Sequence, residues 1–416
     1  MTLASMQAAE SKLLLQTYAR NPIVFVGGHD VYLTDDHGND YLDLLSGIGV
    51  SALGYSHAGI EAAILRQSTR LLHTSNLFYH EGTAELALRL TEISGLDRVF
   101  FCNSGTEAWE AALKLARAHA DRLRSQGKEI GTKFLALEHS FHGRTMGSVA
   151  TTYKEKYRGP FEPVMPDVEF VRFNDVDDLR AKFSRDVCGI CIEVLQGEGG
   201  IRPMSREFFA AARELCDSTG ALLLADEIQS GVGRTGEWFA YQHFGILPDV
   251  TTLAKPIAGG IPMGAMLCTD DAALGFTPGM HGTTFGGGPL ACAVAKAVIE
   301  AILEDRLLSH VRDVGEYFKG KLEALAAQHE CIREVRGMGL MLGIELKSAE
   351  LAERAAAEMM ERRIIINRTS ETVLRFLPPY ILKPTHVDIA IAALDEILKS
   401  STAFAATASA GEDAHG

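Results

Sequence analysis

The sequence predicts an α/β fold: a large domain on a mostly parallel sheet, with a smaller α+β domain. Three observations predict it. Short apolar runs alternate with amphipathic stretches from about Ile60 to Ile302, the pattern of strands covered by helices on both faces. The pattern changes near Leu307, where a long amphipathic stretch leads into the glycine-punctuated run Val335 to Leu346. At 416 residues, the chain is long enough for two domains with a large core.

In chain order, residues 1–58 form an N-terminal segment. Strands are expected at Ile23–Val26, Val31–Leu33 and Tyr41–Leu44, with turns at Gly27-Gly28 and Asp36-His37-Gly38-Asn39. This hairpin region is expected to join the smaller domain, which is then discontinuous in sequence. Residues 59–305 form the large domain. Its strands are expected at Arg98–Phe101, Lys133–Leu137, Glu169–Arg172, Gly189–Val194, Ala221–Ala225 and Gly264–Cys268. Its clearest helices are Glu107–Arg124, Arg206–Thr219 and Pro289–Leu303. Residues 306–400 form the smaller domain, with helices at Leu308–His329, Leu351–Arg363 and Thr385–Lys399. Residues 401–416, rich in Ala, Ser, Thr and Gly, read as a disordered tail.

Composition excludes some function classes. The formal net charge of −14 disfavours nucleic-acid binding, which needs a basic face. No run reaches a membrane-spanning length, and Met1 to Lys12 lacks the basic-then-apolar pattern of a secretion signal, so a cytoplasmic protein is expected. The seven cysteines are scattered, several in apolar runs, which suggests reduced buried thiols. Cys188 and Cys191 have C-x-x-C spacing within a strand and are expected on opposite faces, so no metal site is expected there.

The residues that carry chemistry stand at the ends of apolar runs. Asp226 follows Ala221-Leu222-Leu223-Leu224-Ala225, and Lys255 follows Thr251-Thr252-Leu253-Ala254. The C-terminal ends of parallel strands are where α/β proteins place ligands. A buried lysine there can bond a carbonyl carbon. Asn103-Ser104-Gly105-Thr106-Glu107 leads from a strand into a helix, and reads either as an anion site on backbone N–H groups or as a capped helix start. Ser140-Phe141-His142-Gly143-Arg144-Thr145 offers an aromatic face and a guanidinium. Gln196-Gly197-Glu198-Gly199-Gly200 offers a carboxylate on a flexible loop. His139 and His142 lie in a loop, where a metal pair is not expected.

These five motifs, in this order, resemble the class-III pyridoxal-phosphate-dependent aminotransferases, and within them the acetylornithine group, from about Tyr18 to Ile397. The resemblance implies a fold-type I transferase that binds pyridoxal 5'-phosphate. Lys255 would bond the cofactor's aldehyde carbon and then act as general base, and Asp226 would pair with the ring nitrogen. Gln229 would lie near the phenolic oxygen, and Phe141 and Ile228 would sandwich the ring. Ser104, Gly105 and Thr106 would hold the phosphate. Thr284, in Gly282-Thr283-Thr284-Phe285, would reach the cofactor phosphate of a neighbouring subunit, which implies a homodimer with shared sites.

The same resemblance implies two substrates in turn, an amino donor and 2-oxoglutarate. Arg144 is the candidate for the carboxylate far from the cofactor and Arg375 for the near one. Glu198 would pair with Arg375 when the donor brings no near carboxylate. Tyr79 is expected to line the site. At Ile48, ornithine aminotransferases carry a tyrosine, which disfavours free ornithine and favours an acylated amine such as N-acetylornithine. Succinylornithine, ornithine, 4-aminobutyrate and succinyl-diaminopimelate are the alternative donors, and an aminomutase or racemase is the other reaction class. Trp109 replaces the asparagine usual in the acetylornithine group, and either packs or narrows the donor channel.

Overall fold

The computed structural model describes residues 1–412, without the side chains of 401–412; the tail expected at 401–416 falls outside what is described in full. The central sheet holds β1 (Arg98–Cys102), β2 (Lys133–Leu137), β3 (Val168–Val171), β4 (Val187–Ile192), β5 (Leu222–Asp226), β6 (Val250–Leu253) and β7 (Gly264–Cys268). Their order across the sheet is β1-β7-β6-β5-β4-β2-β3. Strands β1 to β6 run one way, and β7 lies antiparallel between β1 and β6.

Every residue of β4, β5, β6 and β7 is buried, which explains their near-continuous apolar runs. Leu222, Leu224, Phe134 and Ala136 face helix α1 (Gly105–Ser125). Leu223, Ala225, Leu135 and Ile190 face the opposite layer, which includes α2 (Arg206–Thr219) and α3 (Pro289–Glu304). Each fully buried Leu contributes about 1.5–3 kcal/mol.

Beyond α3, helix α4 (Leu307–Ala326) packs on an antiparallel sheet of Ile332–Met338, Met341–Leu346, Val373–Phe376 and Asn367–Thr369, in that order. The N-terminal strands Phe25–His29, Tyr32–Asp35 and Asp40–Asp43 form a meander whose last strand pairs with Ile364–Ile365. Buried Arg234 fastens the large domain to this C-terminal region. Its guanidinium donates to the Pro378 and Leu340 carbonyls and lies 4.6 Å from the Tyr380 ring centre. Among the described residues, no helix is long and apolar enough to cross a membrane.

Two local expectations are corrected, and one further element appears. Gly27 and Gly28 lie inside the first strand rather than in a turn. A Cβ on Gly28 would come within 2.8 Å of the Tyr55 ring, so this glycine serves a close approach. Cys188 and Cys191 share one face, because the register with β2 jumps between Lys133↔Val187 and Phe134↔Gly189. Burial pushes the Cys188 thiol up to about 12 and Cys191 well above its ordinary value, so both stay protonated. A helix, Leu3–Leu13, capped by Thr2 and with no buried residue, precedes the first strand.

Candidate functional site

A cavity of about 320 Å³ opens at the C-terminal edge of the sheet. Asp226 ends β5 and pairs in register with Thr252 of β6, so Lys255 emerges three residues beyond the same edge. Both line the cavity, with Ser104, Gly105, Thr106, Phe141, Glu198, Ile228 and Gln229.

Lys255 begins a short 3-10 turn that contains Pro256. Its φ of +34° places a non-glycine residue in left-handed backbone, a strain of about 1–3 kcal/mol that accumulates at functional positions. Lys255 is half-buried in the cavity wall. Burial lowers its pKa, while Asp226 and Glu198 pull the other way and Arg375 assists burial. A buried amine held toward its neutral form suits both nucleophilic attack and proton transfer.

Asp226 is 5% exposed, and both its oxygens are occupied. The Ile228 amide donates to Oδ1 at 3.0 Å, and His142 Nδ1–H donates to Oδ2 at 2.7 Å. His142 in turn lies flat against Trp109, with ring centres 4.2 Å apart and planes 8° from parallel. The Trp109 indole N–H donates to Thr151 Oγ1 at 3.0 Å. Trp109 therefore packs behind Asp226, with no exposed surface and no place in the cavity wall, so it does not narrow a donor channel.

The capped start of the strand-to-helix turn is present. Ser104 caps α1 by accepting from the Glu107 amide at 3.3 Å, and Glu107 accepts from the Asn103 amide at 2.5 Å. The same turn faces the cavity with free helix-start N–H groups and the Thr106 hydroxyl, which bonds Ser148 Oγ at 2.7 Å.

Arg375 is buried, and its Nη1 lies 2.5 Å from Glu198 Oε1 and 3.2 Å from Gln229 Oε1. Its Nε donates to Asn367 Oδ1 at 3.0 Å. Burial alone would raise the Glu198 pKa, but Arg375 outweighs it, with help from Lys255 and Arg144, and the carboxyl is held below its ordinary value. Arg144 is exposed near the mouth, 3.7 Å from the Tyr157 ring centre.

Three expected residues lie elsewhere on this chain. Tyr79 is fully exposed beside a second groove with Arg66, Arg70 and Lys296. Thr284 is exposed and outside the cavity wall. Ile48 sits in a left-handed turn in which Ser46, Gly47, Ile48 and Gly49 all have positive φ, and Val50 rather than Ile48 reaches the cavity.

Glu193 was not singled out in the sequence, although it ends an apolar run as Asp226 does. It lines the cavity and accepts from the Phe141 amide at 2.9 Å and the Gly197 amide at 3.1 Å, tying two site loops together. Burial raises its pKa to about 7. Beside Asp226, Glu227 is also fully buried, and burial raises it to about 7. Its partners are the Ser230 hydroxyl and the Tyr241 amide. A carboxyl with a raised folded-state pKa favours the folded state when protonated, and that contribution is lost as pH rises from its ordinary 4.5 to about 7. Glu227→Gln is therefore expected to gain stability relative to the parent across that window and to hold the gain above it. Melting temperatures of both proteins between pH 4.5 and pH 8 check this; a constant difference would contradict it.

The aminotransferase class-III family model matches residues 16–398. The chain is 45% identical to the acetylornithine aminotransferase of Aquifex aeolicus, over 92% of this chain and 99% of that protein. It is 47% identical to acetylornithine aminotransferase 1 of Bordetella bronchiseptica, over 94% and 98%. Among solved structures, it resembles the ornithine aminotransferase of Toxoplasma gondii, with a TM-score of 0.91 at 30% identity, covering 97% of this chain and 96% of that one. It also resembles the acetylornithine aminotransferase of Elizabethkingia anophelis, with a TM-score of 0.84 at 27% identity, covering 96% and 100%.

Proposed function

The chain belongs to the class-III aminotransferases, and on that premise we propose that it moves the terminal amino group of N-acetylornithine to 2-oxoglutarate. The products are N-acetylglutamate semialdehyde and glutamate, a step of arginine biosynthesis in the cytoplasm. The observation that carries this reading is the Arg375–Glu198 pair beside the cavity that holds Lys255 and Asp226.

The cavity fits pyridoxal 5'-phosphate. A phosphate suits the start of α1 at Ser104, Gly105 and Thr106, where a Cβ on Gly105 would press within 2.8 Å of Ile228 Cδ1 and close the space. Phe141 and Ile228 supply apolar faces for a flat ring, Asp226 a fixed carboxylate for its nitrogen, Gln229 an amide for its phenolic oxygen and Lys255 an amine for its aldehyde. When bound, the cofactor supplies an electron sink for the carbanion formed at the substrate carbon.

The chain's own residues do the rest. Lys255 takes the proton from the substrate carbon that bears the transferred nitrogen, which requires the neutral amine that burial favours. Asp226, locked by His142 and the Ile228 amide, keeps a negative charge fixed at the cavity floor. A terminal-amine donor brings no carboxylate to Arg375, so Glu198 keeps that buried cation paired, since an unpaired buried charge is costly. 2-Oxoglutarate brings its own carboxylate and takes the place of Glu198.

Arg144, exposed at the mouth, is assigned the donor's far carboxylate. Arg144→Ala is expected to raise the donor KM about 10- to 100-fold with kcat little changed, because the lost bond is made equally in ground and transition states. Steady-state kinetics with saturating 2-oxoglutarate check this, and an unchanged KM would remove Arg144 from the donor site.

A homodimer completes the reading. Leu71, Leu72, Leu77, Phe78, Tyr79 and Phe285 are exposed large apolar or aromatic residues on one chain. Asn76 bonds the Thr283 and Gly286 carbonyls, so the two exposed segments adjoin. Exposed Thr284 is then free to serve the partner's site, and a second subunit also offers Tyr79 a cavity to line.

The direct test of the donor is a panel of kcat/KM values at fixed 2-oxoglutarate. N-acetylornithine should exceed ornithine, succinylornithine, succinyl-diaminopimelate and 4-aminobutyrate. A preference for free ornithine would overturn the donor assignment and leave the aminotransferase reading intact.

A further inference from the structure

One hairpin holds Glu198 at both ends. Its strands, Asn367–Thr369 and Val373–Phe376, pair Asn367 with Arg375. Arg375 grips the Glu198 carboxylate at 2.5 Å. At the turn of the same hairpin, Thr369 Oγ1 and Ser370 Oγ both donate to the Glu198 main-chain carbonyl, each at 2.9 Å. A carbonyl oxygen has two lone pairs, and both are used.

Glu198 stands in the turn between the paired strands Leu195–Gln196 and Arg202–Pro203, and the turn's own backbone bonds are long: the Gly200 and Ile201 amides donate to the Gly197 carbonyl at 3.3 and 3.4 Å. Glu198 stands among Gly197, Gly199 and Gly200. These positions exclude a side chain: a Cβ on Gly199 would come within 2.6 Å of the His139 carbonyl, and Gly200 has a φ of +102°. Glycine gives this backbone more freedom than other residues would, so donors from outside the turn add to its rigidity. Besides the two hydroxyls, Arg202 Nε donates to the Gly199 carbonyl at 3.0 Å, and Arg336 Nε to the Gly200 carbonyl at 2.7 Å. The loop is also tied to Phe141, through the Glu193 carboxylate that accepts from both Gly197 and Phe141. Movement of its main chain would therefore disturb the cavity wall.

We propose that Thr369 and Ser370 are positioning residues that pin the main chain of Glu198, so that Arg375 exchanges Glu198 for a substrate carboxylate by a side-chain swing alone. The proposal rests on the reading of Arg375 as the receiver of the acceptor's near carboxylate. It separates the two half-reactions. With a terminal-amine donor, Glu198 itself must pair with Arg375, so a loosened loop weakens that half-reaction. With glutamate or 2-oxoglutarate, the substrate pairs with Arg375, and a loosened Glu198 is displaced more easily.

The test uses the holoenzyme and three variants: Thr369→Val, Ser370→Ala and the double change. Thr369→Ser, which keeps the hydroxyl, serves as the conservative control. For N-acetylornithine, kcat/KM of the half-reaction is expected to fall about fivefold per hydroxyl removed. The glutamate half-reaction should stay within about twofold, less than the loss of one neutral hydrogen bond, because the substrate rather than Glu198 then pairs with Arg375. Glutarate, an unreactive dicarboxylate titrated by calorimetry, should bind the variants as tightly as the parent or tighter. Equal losses with both amino donors, weaker glutarate binding, or no change in any readout would each overturn the proposal. Failure of the parent to accept N-acetylornithine would overturn the donor reading alone; tighter glutarate binding by the variants would then still support the anchor, and equal or weaker binding would overturn it.

Discussion

Lys255→Ala is expected to lower turnover by at least about 10⁴-fold, because it removes at once the attacking amine and the group that moves the proton. The fold should survive. Lys255 is half-buried, and desolvation in the cavity wall disfavours its charged form, so the loss of the ammonium relieves a desolvation cost. The neighbouring β6 is buried along its whole length and does not depend on that side chain. Near-UV circular dichroism should match the parent while kcat/KM collapses. A variant that kept a rate within tenfold of the parent would remove Lys255 from the chemistry.

Asp226→Asn is expected to lower kcat about 10²- to 10³-fold, the scale of losing one fixed charge from a preorganised site. The substitution is nearly isosteric, and local structure can absorb it. The Ile228 amide still finds the side-chain oxygen. His142 Nε2 is buried without a partner, so the ring can carry its proton there and accept from the new amide through Nδ1. What disappears is the negative charge, and with it part of the pull that keeps Lys255 protonated. The acid limb of the kcat profile should therefore move to lower pH, since the neutral amine then appears earlier. The variant should also release the cofactor more readily on dialysis. A kcat within twofold of the parent, with an unmoved acid limb, would contradict the role assigned to Asp226.

Much of the fold was legible because its strands are buried on both faces. β4 and β5 show as near-continuous apolar runs, and a charged residue at the end of such a run, as at Asp226 and Lys255, stands out. Glu193 carries the same signal, but the glycine-rich loop after it makes Glu198 the more conspicuous carboxylate. The support of the site was not legible. Trp109 stacks on His142 across 33 residues of sequence, and Thr369 and Ser370 reach Glu198 across more than 170. Such contacts depend on how separate elements pack and leave no periodicity in the chain. The shared face of Cys188 and Cys191 comes from a register shift that strand alternation cannot foresee. Tyr79 was assigned to the site from its neighbourhood in sequence, whereas on this chain it points into solvent beside a different groove.

The central claim is that the nitrogen of a terminal amine passes through this cavity to 2-oxoglutarate. Incubating the enzyme with 2-oxoglutarate and N-acetylornithine carrying ¹⁵N only at its terminal amine tests that directly. Mass spectrometry of the products should find the label in glutamate, in step with N-acetylglutamate semialdehyde, with none formed by Lys255→Ala. Label retained in N-acetylornithine, or glutamate that carries none, would contradict the account.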